Sequence, residues 1–587
     1  MLNYVSVIVS ILVTAAVAHA QVSLLPAESI PFTTSPRNVP ASTLATIDAA
    51  GQAFQKAYRI STLGQTGNDR LTMRYTIDSD VQKGDVLLLS FYSRSLQSRK
   101  ETGESFIEIS LDRVIGGKYT WPPLIERGMS FGSVWTLTQI PFVASREVTK
   151  GDLSLVIKCG SFPQQFELGQ LTLVNYKQSK QLADLPRSIV HYDGDAPDAA
   201  WRKAAADRIE KYRKGDLTVR VLNASGKPVN NASVSVRLAK SAFAWGTATN
   251  SKMLLDSISP DAKTYRDTLL RYFNKVVFEN EMKSKNWATT DHDQTKKAVA
   301  WLRTHNIPAR GHVMVWPSWQ HSPHLVRYQR DKAALGETIM NQIADQTAVM
   351  KDQFVEWDVI NEPFAHHSII DSLGGKNVMV SWFNAARKNT PGVKLFLNEY
   401  TMFHAEGGGS DSFYNYVKFL KDQHAPIDGI GEQAHIGGTP PGIELVLKRL
   451  DRFAEFGLPI QISEFDITSD DDDFKARYMR DFMTALFSHP ATTGFVQWGF
   501  WEKAHWIPAG ALWDKDWNLR AHGKVFTDLV GKTWTTHETG VTRKTGEYKV
   551  RGFTGDYDIV VTVNGKSVRK NYTLDRTGGA VEIRLPD

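Results

Sequence analysis

The chain has 587 residues, of which 42% are hydrophobic and 22% charged, and its formal net charge is +6. This composition is typical of folded globular domains and excludes a disordered or fibrous protein. The length exceeds what one hydrophobic core supports and predicts roughly three to four domains. The small net charge, without clusters of Lys and Arg interleaved with aromatic residues, argues against a nucleic-acid partner.

An apolar segment, VSVIVSILVTAAVA, lies near the start of the chain at residues 5–18, and its last residue, Ala18, forms a small-x-small pattern with Ala20. This order is typical of a secretory signal peptide with its cleavage site. We therefore predict a signal peptide at 1–20 and a secreted protein, either extracellular, periplasmic or at the cell surface. The segment is short for a membrane-spanning helix and no later segment qualifies, so no membrane span is predicted.

Short segments of alternating apolar and polar residues fill the region 21–178, and turns rich in Gly, Asp and Ser separate them. This pattern predicts an antiparallel β-sandwich. The closing segment FELGQLTLVNY resembles the last strands of jelly-roll carbohydrate-binding modules, which implies that the region binds insoluble polysaccharide. Tyr119, Trp121 and Trp135 are candidate sugar contacts. Trp135 is predicted to lie in the core, so the loop residue Trp121 is the better candidate.

Cys159 is the single cysteine, which excludes an intrachain disulfide. Its strand-like surroundings, LSLVIKCGSF, predict a buried and unreactive thiol. The aspartates at 470–473 are the one dense run of potential metal ligands, and such a run is more typical of a solvated loop than of a calcium site. We expect neither a metal nor another cofactor.

Residues 179–240 predict a connector made of one helix and a β-hairpin. The helix is predicted at 195–213, with Pro197 in its first turn and apolar residues recurring on one face. At the other end of the chain, residues 533–587 alternate again and predict a small β-rich domain of a sandwich-like kind.

Between these two regions, residues 241–530 repeat strand and helix. Eight strands that alternate with helices are what a (β/α)8 barrel requires, and the predicted fold class is therefore α/β. An open doubly wound sheet is the competing topology, but no glycine-rich phosphate loop follows the first strand. The strands are predicted at 242–248, 274–280, 308–316, 354–361, 394–400, 429–435, 460–467 and 494–500.

Two of these strands carry a glutamate at the C-terminal edge: Glu362 in FVEWDVINEPF and Glu464 in PIQISEFDITS. Burying a carboxylate costs several kcal/mol unless it is paired or hydrogen-bonded, so two of them at strand ends predict a polar cleft. Two carboxylates across a cleft are the minimum needed to cut a glycosidic bond. The alternative is that both are ordinary surface loop residues.

Other polar and aromatic residues share this position, which argues against the surface alternative. In a barrel the C-terminal ends of all strands form one face, and that face carries catalysis. The residues at these ends are Glu279, Asn280, Lys283, His312, Trp316, Asn361, Asn398, Gln433, His435 and Trp498.

With these residues in place, region 241–530 resembles glycoside hydrolase family 10, the retaining β-1,4-xylanases. WDVINEP resembles the acid/base motif of that family, which implies that Glu362 is the acid/base with Asn361 beside it. ISEFDI resembles the nucleophile motif, which implies that Glu464 is the nucleophile with Asp466 as a structural support.

The remaining motifs imply contacts with substrate. FENEMK carries Glu279, Asn280 and Lys283 onto glycone-side sugar contacts. The chain departs from the family after Trp316, where Pro317, Ser318 and Trp319 replace the usual His and Gln. The other substrate-binding residues implied by the resemblance are His312, Trp316, Gln433 and His435, with Trp498 and Trp506 as aromatic walls.

The resemblance thus implies a secreted retaining endo-β-1,4-xylanase that acts on xylan or xylo-oligosaccharides by double displacement. His435 and Gln433 would position the nucleophile and the 2-hydroxyl of the sugar. Two enzyme alternatives keep the same carboxylates: a β-glucan hydrolase and a transglycosylase. A third alternative is a catalytically weak protein that binds carbohydrate through its N-terminal sandwich.

Overall fold

The computed structural model describes residues 21–35, 43–63, 71–98, 105–120, 122–159, 163–189, 191–364, 366–404, 408–437, 440–467, 469 and 471–586. The predicted signal peptide at 1–20 and the candidate Trp121 lie outside the described residues. The chain forms two compact units, Met1–Val190 and His191–Asp587. No helix in the described ranges combines the length and apolar character needed to cross a membrane.

The first unit is a β-sandwich of two antiparallel sheets. One has the order β10–β6–β12–β4–β3 with β1 beside β12, and the other has the order β2–β5–β11–β7–β8 with β9 beside β7. The strands are β1 (Val22–Ser23), β2 (Thr33–Ser35), β3 (Leu44–Asp48), β4 (Lys56–Ser61), β5 (Leu71–Ile77), β6 (Val86–Ser98), β7 (Ser105–Ile115), β8 (Lys118–Thr120), β9 (Glu126–Phe131), β10 (Thr136–Val143), β11 (Leu153–Cys159) and β12 (Gln164–Asn175).

Both sheets contribute to one apolar core, which confirms the predicted sandwich. Phe91 and Phe166 come from the first sheet, and Leu111 comes from the second. Cys159 lies in this core, and burial raises the pKa of its thiol to about 12, so the thiol stays protonated and unreactive.

Trp135 differs from its predicted place in the core. It precedes β10 and is half-buried, with the Arg94 guanidinium 4.8 Å from its ring centre. The ring of Phe54 packs edge-on against it at 5.1 Å. Arg94 belongs to the face of β6 that points away from the core, because its neighbours Ser93 and Ser95 are the buried positions. Trp135 therefore lies on the outer face of the sheet.

The second unit begins with helix α1 (Ala200–Tyr212), which buries Trp201 and Ala205. Strands β13 (Lys214–Leu222) and β14 (Ser233–Ser241) follow. A barrel comes next in the chain, between β14 and the C-terminal strands.

The barrel has eight parallel strands, as predicted. It closes because β15 pairs with β23 and β20 pairs with β22. The eight strands are β15 (Ala244–Thr249), β16 (Lys275–Phe278), β17 (Ala309–Val315), β18 (Glu356–Asn361), β19 (Lys394–Glu399), β20 (Gly429–Glu432), β22 (Ile460–Ile467) and β23 (Thr492–Gln497). A short extra strand, β21 (His435–Ile436), pairs with β22 at the C-terminal end of the barrel. Its helices are α2 (Ser251–Leu255), α3 (Pro260–Tyr272), α4 (His292–Thr304), α5 (Lys332–Val349), α6 (Ser368–Ser372), α7 (Asn377–Asn389), α8 (Gly409–Asp422), α9 (Ile443–Ala454), α10 (Asp472–Ser488) and α11 (Ala521–Asp528).

The pairing of the C-terminal strands differs from two predictions: a connector with a β-hairpin at 179–240 and a separate domain at 533–587. These strands are β24 (His537–Val541), β25 (Glu547–Phe553), β26 (Gly555–Val563), β27 (Lys566–Leu574) and β28 (Gly579–Arg584). The strands β13 and β14 do not pair as a hairpin: β13 lies between β25 and β28, and β14 lies between β24 and β26. The two segments form one sandwich into which the barrel is inserted. Neither segment could bury its apolar face alone, and Val219, Val236 and Ile559 share one core.

Charged side chains fill the barrel interior on strands β16, β17 and β18. Lys275 Nζ lies 2.7 Å from Glu356 Oε1, and Arg310 Nε donates to Asp358 Oδ2 at 3.1 Å. All four side chains are buried, so each charge depends on its partner. Asp358 extends this network toward the C-terminal face, where it accepts a hydrogen bond from His312.

A pair of buried acidic residues lies on β19 and β20, where Glu399 and Glu432 are opposite each other in the register. Their hydrogen bonds come from the backbone: Tyr400 N–H donates to Glu399 Oε2 at 3.3 Å, and Met402 N–H donates to Glu432 Oε2 at 3.0 Å. Burial raises the pKa of Glu432 to about 8. Burial, together with the charges of Glu362 and Glu432, raises the pKa of Glu399 well above its usual value. Glu432 therefore holds a proton at neutral pH, and burial favours the protonated form of Glu399 beside it.

We predict that Glu432→Gln changes the pH dependence of stability. The pKa of Glu432 is about 8 in the folded chain and about 4.3 in an unfolded one. Because the folded value is the higher one, the contribution of Glu432 to stability is complete below the unfolded pKa and is lost as pH rises toward 8. Glutamine resembles the protonated acid and does not titrate. The melting temperature of the variant, relative to that of the parent, should therefore increase by several degrees as the pH is raised from 5 to 8. The conversion is about 2–4 °C per kcal/mol of stability.

Thermal unfolding followed by circular dichroism measures this difference. Glu538→Gln, on the exposed side of β24, is the matched control and should keep a constant offset from the parent. A constant offset for Glu432→Gln over the same range would contradict the assignment.

Candidate active site

The structure places the predicted site residues at the C-terminal face of the barrel. Glu279, Asn280 and Lys283 follow β16, and Trp316 follows β17, which itself carries His312. The other predicted residues are Asn361 at the end of β18, Glu362 directly after it, Gln433 after β20, His435 in β21, Glu464 in β22, and Trp498 and Trp506 after β23.

Glu362 leaves its strand in an unusual backbone conformation. Its φ is +55°, in the left-handed region that residues other than glycine rarely adopt. Such a conformation costs roughly 1–3 kcal/mol and persists only where the surroundings hold it. Here the Glu362 N–H donates to the Asn398 carbonyl at 2.9 Å, which fixes the turn to the neighbouring strand.

Four side chains surround the carboxyl group of Glu362, which is 8% exposed. Gln433 Nε2 and Asn361 Nδ2 donate to Oε1, at 2.7 and 3.1 Å. Trp316 Nε1 donates to Oε2 at 3.2 Å. His366 Nε2 lies 3.3 Å from the same Oε2. Both oxygens are therefore held, and each faces a different pair of neighbours.

Glu464 is 5% exposed and lies among hydrogen-bond donors and histidines. Asn398 Nδ2 donates to Oε1 at 2.7 Å, and His312 Nε2 lies 3.9 Å from that oxygen. His435 Nε2 lies 3.6 Å from Oε2. These neighbours favour the ionised form of the carboxyl group.

Two asparagine amides join the carboxyl groups. Asn398 Nδ2 donates to Asn361 Oδ1 at 2.8 Å as well as to Glu464, and Asn361 Nδ2 in turn donates to Glu362. Ser463 Oγ donates to Asn398 Oδ1 at 2.6 Å, which fixes the orientation of this amide. Glu362 and Glu464 are thus parts of one hydrogen-bonded unit.

The two carboxyl groups have pKa values displaced in opposite directions. Burial raises the pKa of Glu362, and the charge of Glu464 raises it further. Burial alone would also raise the pKa of Glu464, but His312 and His435 outweigh it, so the pKa of Glu464 lies below its ordinary value. Opposite displacement of this kind assigns an acid role to one group and an ionised role to the other.

The histidines beside Glu464 are oriented by buried carboxylates. Asp358 Oδ2 faces His312 Nδ1 at 2.9 Å, and Asp466 Oδ1 faces His435 Nδ1 at 3.0 Å. Burial would lower the pKa of His435, but Asp466 and Glu464 raise it to about 10, so this imidazole carries a positive charge. Asp466 also accepts a hydrogen bond from Trp506 Nε1 at 2.7 Å.

The loop after β16 forms one wall beside Trp316. Lys283 Nζ donates to Asn280 Oδ1 at 3.2 Å and lies 6.0 Å from the centre of the Trp316 ring. Burial raises the pKa of Glu279 and lowers that of Lys283. The side chains of Glu279, Asn280 and Lys283 are therefore available to hydrogen-bond sugar hydroxyls along the wall formed by the loop after β16.

Two predicted roles differ from the observed geometry. The resemblance implies that Gln433 and His435 position the nucleophile and the 2-hydroxyl of the sugar, but the side chain of Gln433 donates to Glu362. The resemblance implies that Trp498 is an aromatic wall, but its side chain is only 4% exposed and packs into a small apolar cluster with Ala248 and Val277. Trp506, at 51% exposed, is the open aromatic surface.

Sequence reasoning missed two residues of the site and the role of a third. Asn398 is predicted at its strand end, but nothing in the sequence shows that its amide joins both carboxyl groups. His366 follows Glu362 by four residues, a spacing that a turn brings together. The ring of His321 stacks on that of Trp316 at 4.1 Å, near the point where the sequence departs from the family.

In the part of the chain that the structure describes, no three His, Cys, Asp or Glu side chains converge as a metal ion requires. Within the aspartate run, Asp470 lies outside the described residues. Asp471 caps α10 by accepting from the Phe474 N–H at 3.1 Å, and Asp472 pairs with Lys475 at 2.8 Å.

Comparison with known sequences agrees with this site. The family model described as Glycosyl hydrolase family 10 matches residues 235–527, a range that contains every residue predicted for the barrel site. The chain is 32% identical to the Anti-sigma-I factor RsgI6 of Acetivibrio thermocellus over 388 residues, which cover 65% of this chain and 49% of that protein. It is 28% identical to Endo-1,4-beta-xylanase 1 of Arabidopsis thaliana over 391 residues, which cover 64% of this chain and 40% of that protein.

Similarity to solved structures includes xylanase 10B of Thermotoga petrophila RKU-1, crystallised with xylobiose. The sequence identity is 24% and the TM-score 0.45, with 50% of this chain and 95% of that chain covered. The chain spans about half, or less, of the length of the curated relatives named above. Through the domain at residues 235–527, this chain belongs to glycosyl hydrolase family 10.

Proposed function

We propose that this chain is a retaining endo-β-1,4-xylanase that hydrolyses internal bonds of xylan or xylo-oligosaccharides. The observation that carries the proposal is the pair Glu362 and Glu464, joined through two asparagine amides and displaced in pKa in opposite directions. Membership of glycosyl hydrolase family 10 supports a glycosidase, and the similarity to a plant endo-1,4-β-xylanase supports xylan as the substrate.

In the first step Glu464, ionised, attacks the anomeric carbon of the bound sugar and the glycosidic C–O bond breaks. Glu362, protonated, gives its proton to the departing oxygen. The products of this step are a shortened chain and a glycosyl ester on Glu464. His435, charged and 3.6 Å from Glu464 Oε2, favours the ionised carboxylate before attack.

In the second step a water molecule attacks the same carbon, Glu362 takes the proton of that water, and Glu464 is released. The charge of Glu464 raises the pKa of Glu362 in the free enzyme. That charge disappears when Glu464 is esterified, so the pKa of Glu362 falls and the group becomes a base.

Sugar rings bind beside the two carboxyl groups by stacking and hydrogen bonding. Trp506 presents an exposed ring 5.0 Å from that of His435. An exposed ring of this kind suits the apolar face of a sugar. On the other side, Glu279, Asn280 and Lys283 supply hydrogen-bonding groups for hydroxyls.

The N-terminal unit, in this proposal, binds insoluble polysaccharide through the outer face of its first sheet. Glu167 is fully buried there and accepts from Arg59 Nη2 and Arg94 Nε, each at 2.7 Å. The two guanidinium groups are thereby held in place, with Trp135 under Arg94 and the half-buried Tyr92 nearby. Fixed donors beside aromatic rings form a surface suited to a glycan chain.

The apolar run at 5–18 supports secretion, which would bring the enzyme to such a substrate.

Substitution of the two glutamates separates their roles. Glu464→Ala should abolish turnover, because no covalent intermediate forms without the nucleophile. Glu362→Ala should lose about 10²–10⁴-fold or more on xylan, the range typical of positioned acid–base catalysis. On an aryl β-xylobioside with a good leaving group, Glu362→Ala should show a burst, and added azide should restore turnover and yield a β-glycosyl azide.

Product analysis by NMR and stopped-flow absorbance measure these outcomes. If azide rescued Glu464→Ala with an α-configured product and left Glu362→Ala unchanged, the two roles would be reversed. Release of reducing sugar from β-glucan but not from xylan would favour the β-glucan hydrolase. Longer oligosaccharides as the main products would favour the transglycosylase. A parent protein without turnover on any glycan would favour the carbohydrate-binding alternative.

Binding to insoluble xylan tests the N-terminal surface. In the full chain carrying Glu464→Ala to prevent digestion, Trp135→Ala and Arg94→Ala should each weaken binding by roughly tenfold. Depletion from the supernatant measures the bound fraction. Tyr119, also a candidate sugar contact from the sequence, is an exposed aromatic on the second sheet, so Tyr119→Ala tests the opposite surface and should bind like the parent. Binding that fell with Tyr119→Ala and not with the other two would place the surface on the opposite sheet.

A further inference from the structure

His366 contacts the carboxyl group of Glu362 from within the same turn. The His366 N–H donates to the Glu362 carbonyl at 3.0 Å, and its Nε2 lies 3.3 Å from Glu362 Oε2. The side chain is about three-quarters buried, with 25% exposed. No part of the family resemblance assigned a role to this residue.

The neighbours of Glu362 determine where its proton resides. Oε1 already accepts from Asn361 and Gln433, whose amide nitrogens have no acceptor capacity. A proton on Oε1 would face these two donors, so the acid carries its proton on Oε2. There, Trp316 Nε1 is a donor only, whereas a neutral imidazole nitrogen can accept. His366 Nε2 is therefore the acceptor within reach of that proton among the described residues.

The surroundings of His366 keep its imidazole neutral. Burial lowers the pKa of His366, and the adjacent His367 lowers it further. The ring of His321 lies edge-on to it at 4.5 Å, and burial lowers the pKa of His321 to about 4, so that ring is neutral as well. Lys283 and Lys285 add positive charge on the His321 side. Among these groups, Glu362 is the one acid in contact with His366.

We propose that His366 positions the proton of the general acid, by accepting a hydrogen bond from Glu362 Oε2 in the free enzyme. This inference rests on the proposed function, because it assumes that Glu362 is the acid. The contact stabilises the protonated carboxyl group and holds the proton on Oε2 until substrate arrives. When the glycosidic oxygen replaces Nε2 as acceptor, the proton moves to the leaving group and His366 stays neutral.

The alkaline limb of the pH profile of kcat/KM measures this contact, since it reports loss of the proton from the acid of the free enzyme. His366→Leu fills the space but removes the acceptor, so the protonated form loses stabilisation and the pKa of Glu362 falls. The alkaline limb should move down by roughly half a unit to one unit. His366→Gln keeps an acceptor oxygen and should stay near the parent. His367→Leu is the matched control, because His367 pairs with Asp371 and not with Glu362.

The profiles are measured on xylo-oligosaccharides, whose poor leaving group requires the acid, and thermal unfolding confirms that each variant is folded. If His366→Leu does not fold, His366→Ala takes its place. If the alkaline limb of the kcat/KM profile of His366→Leu lies at the same pH as that of the parent, the inference is overturned. An equal shift of the alkaline limb in His366→Leu and His366→Gln also overturns it, because that result would indicate a structural role. Azide rescue of Glu362→Ala, measured alongside, separates the two levels: rescue with an unmoved limb refutes the inference alone, whereas absence of rescue refutes the acid role of Glu362 and the inference with it.

Discussion

The site depends on one constraint: two buried carboxyl groups in the same hydrogen-bonded unit cannot both be ionised without a large cost. The chain resolves this constraint by giving the groups different neighbours. Glu464 lies beside His312, the positively charged His435 and an amide donor, whereas the imidazole beside Glu362 is that of His366, whose pKa is lowered by burial. The proposed division of labour between acid and nucleophile follows from this difference, since both residues are the same amino acid.

The barrel supplies the geometry that the constraint requires. Strands β18, β19 and β22 contribute Asn361, Asn398 and Glu464 at the same end, and the register of β18 with β19 places the two asparagines opposite each other. Their amides then join the carboxyl groups with hydrogen bonds of 2.7–3.1 Å. Beneath this layer, the buried pairs of Lys275 with Glu356 and Arg310 with Asp358 hold the strands and orient His312. The catalytic layer therefore rests on a second polar layer inside the barrel.

Much of this arrangement could be predicted from the sequence, because its determinants are local. Apolar runs that end in a polar residue identify both the strands and the face on which Glu362 and Glu464 lie. The pairing of β13 and β14 with the C-terminal strands could not be predicted, since about 300 residues of barrel separate the partners. Side-chain directions were also out of reach: Gln433 and Asn398 are both amides at strand ends, and only tertiary packing determines which carboxyl group each one contacts. The burial of Trp498 depends likewise on neighbours from other strands.

The central claim is that Glu464 forms a covalent bond to one face of the sugar and that Glu362 then activates water on the opposite face, from which the leaving group departed. Early-time proton NMR of xylo-oligosaccharide hydrolysis tests it most directly, because double displacement retains the anomeric configuration while single displacement inverts it. The account predicts that the β-anomer of the new reducing end appears first and that the α-anomer grows in later by mutarotation. If the α-anomer appeared first, the two carboxyl groups would act as an inverting pair and the account would be wrong.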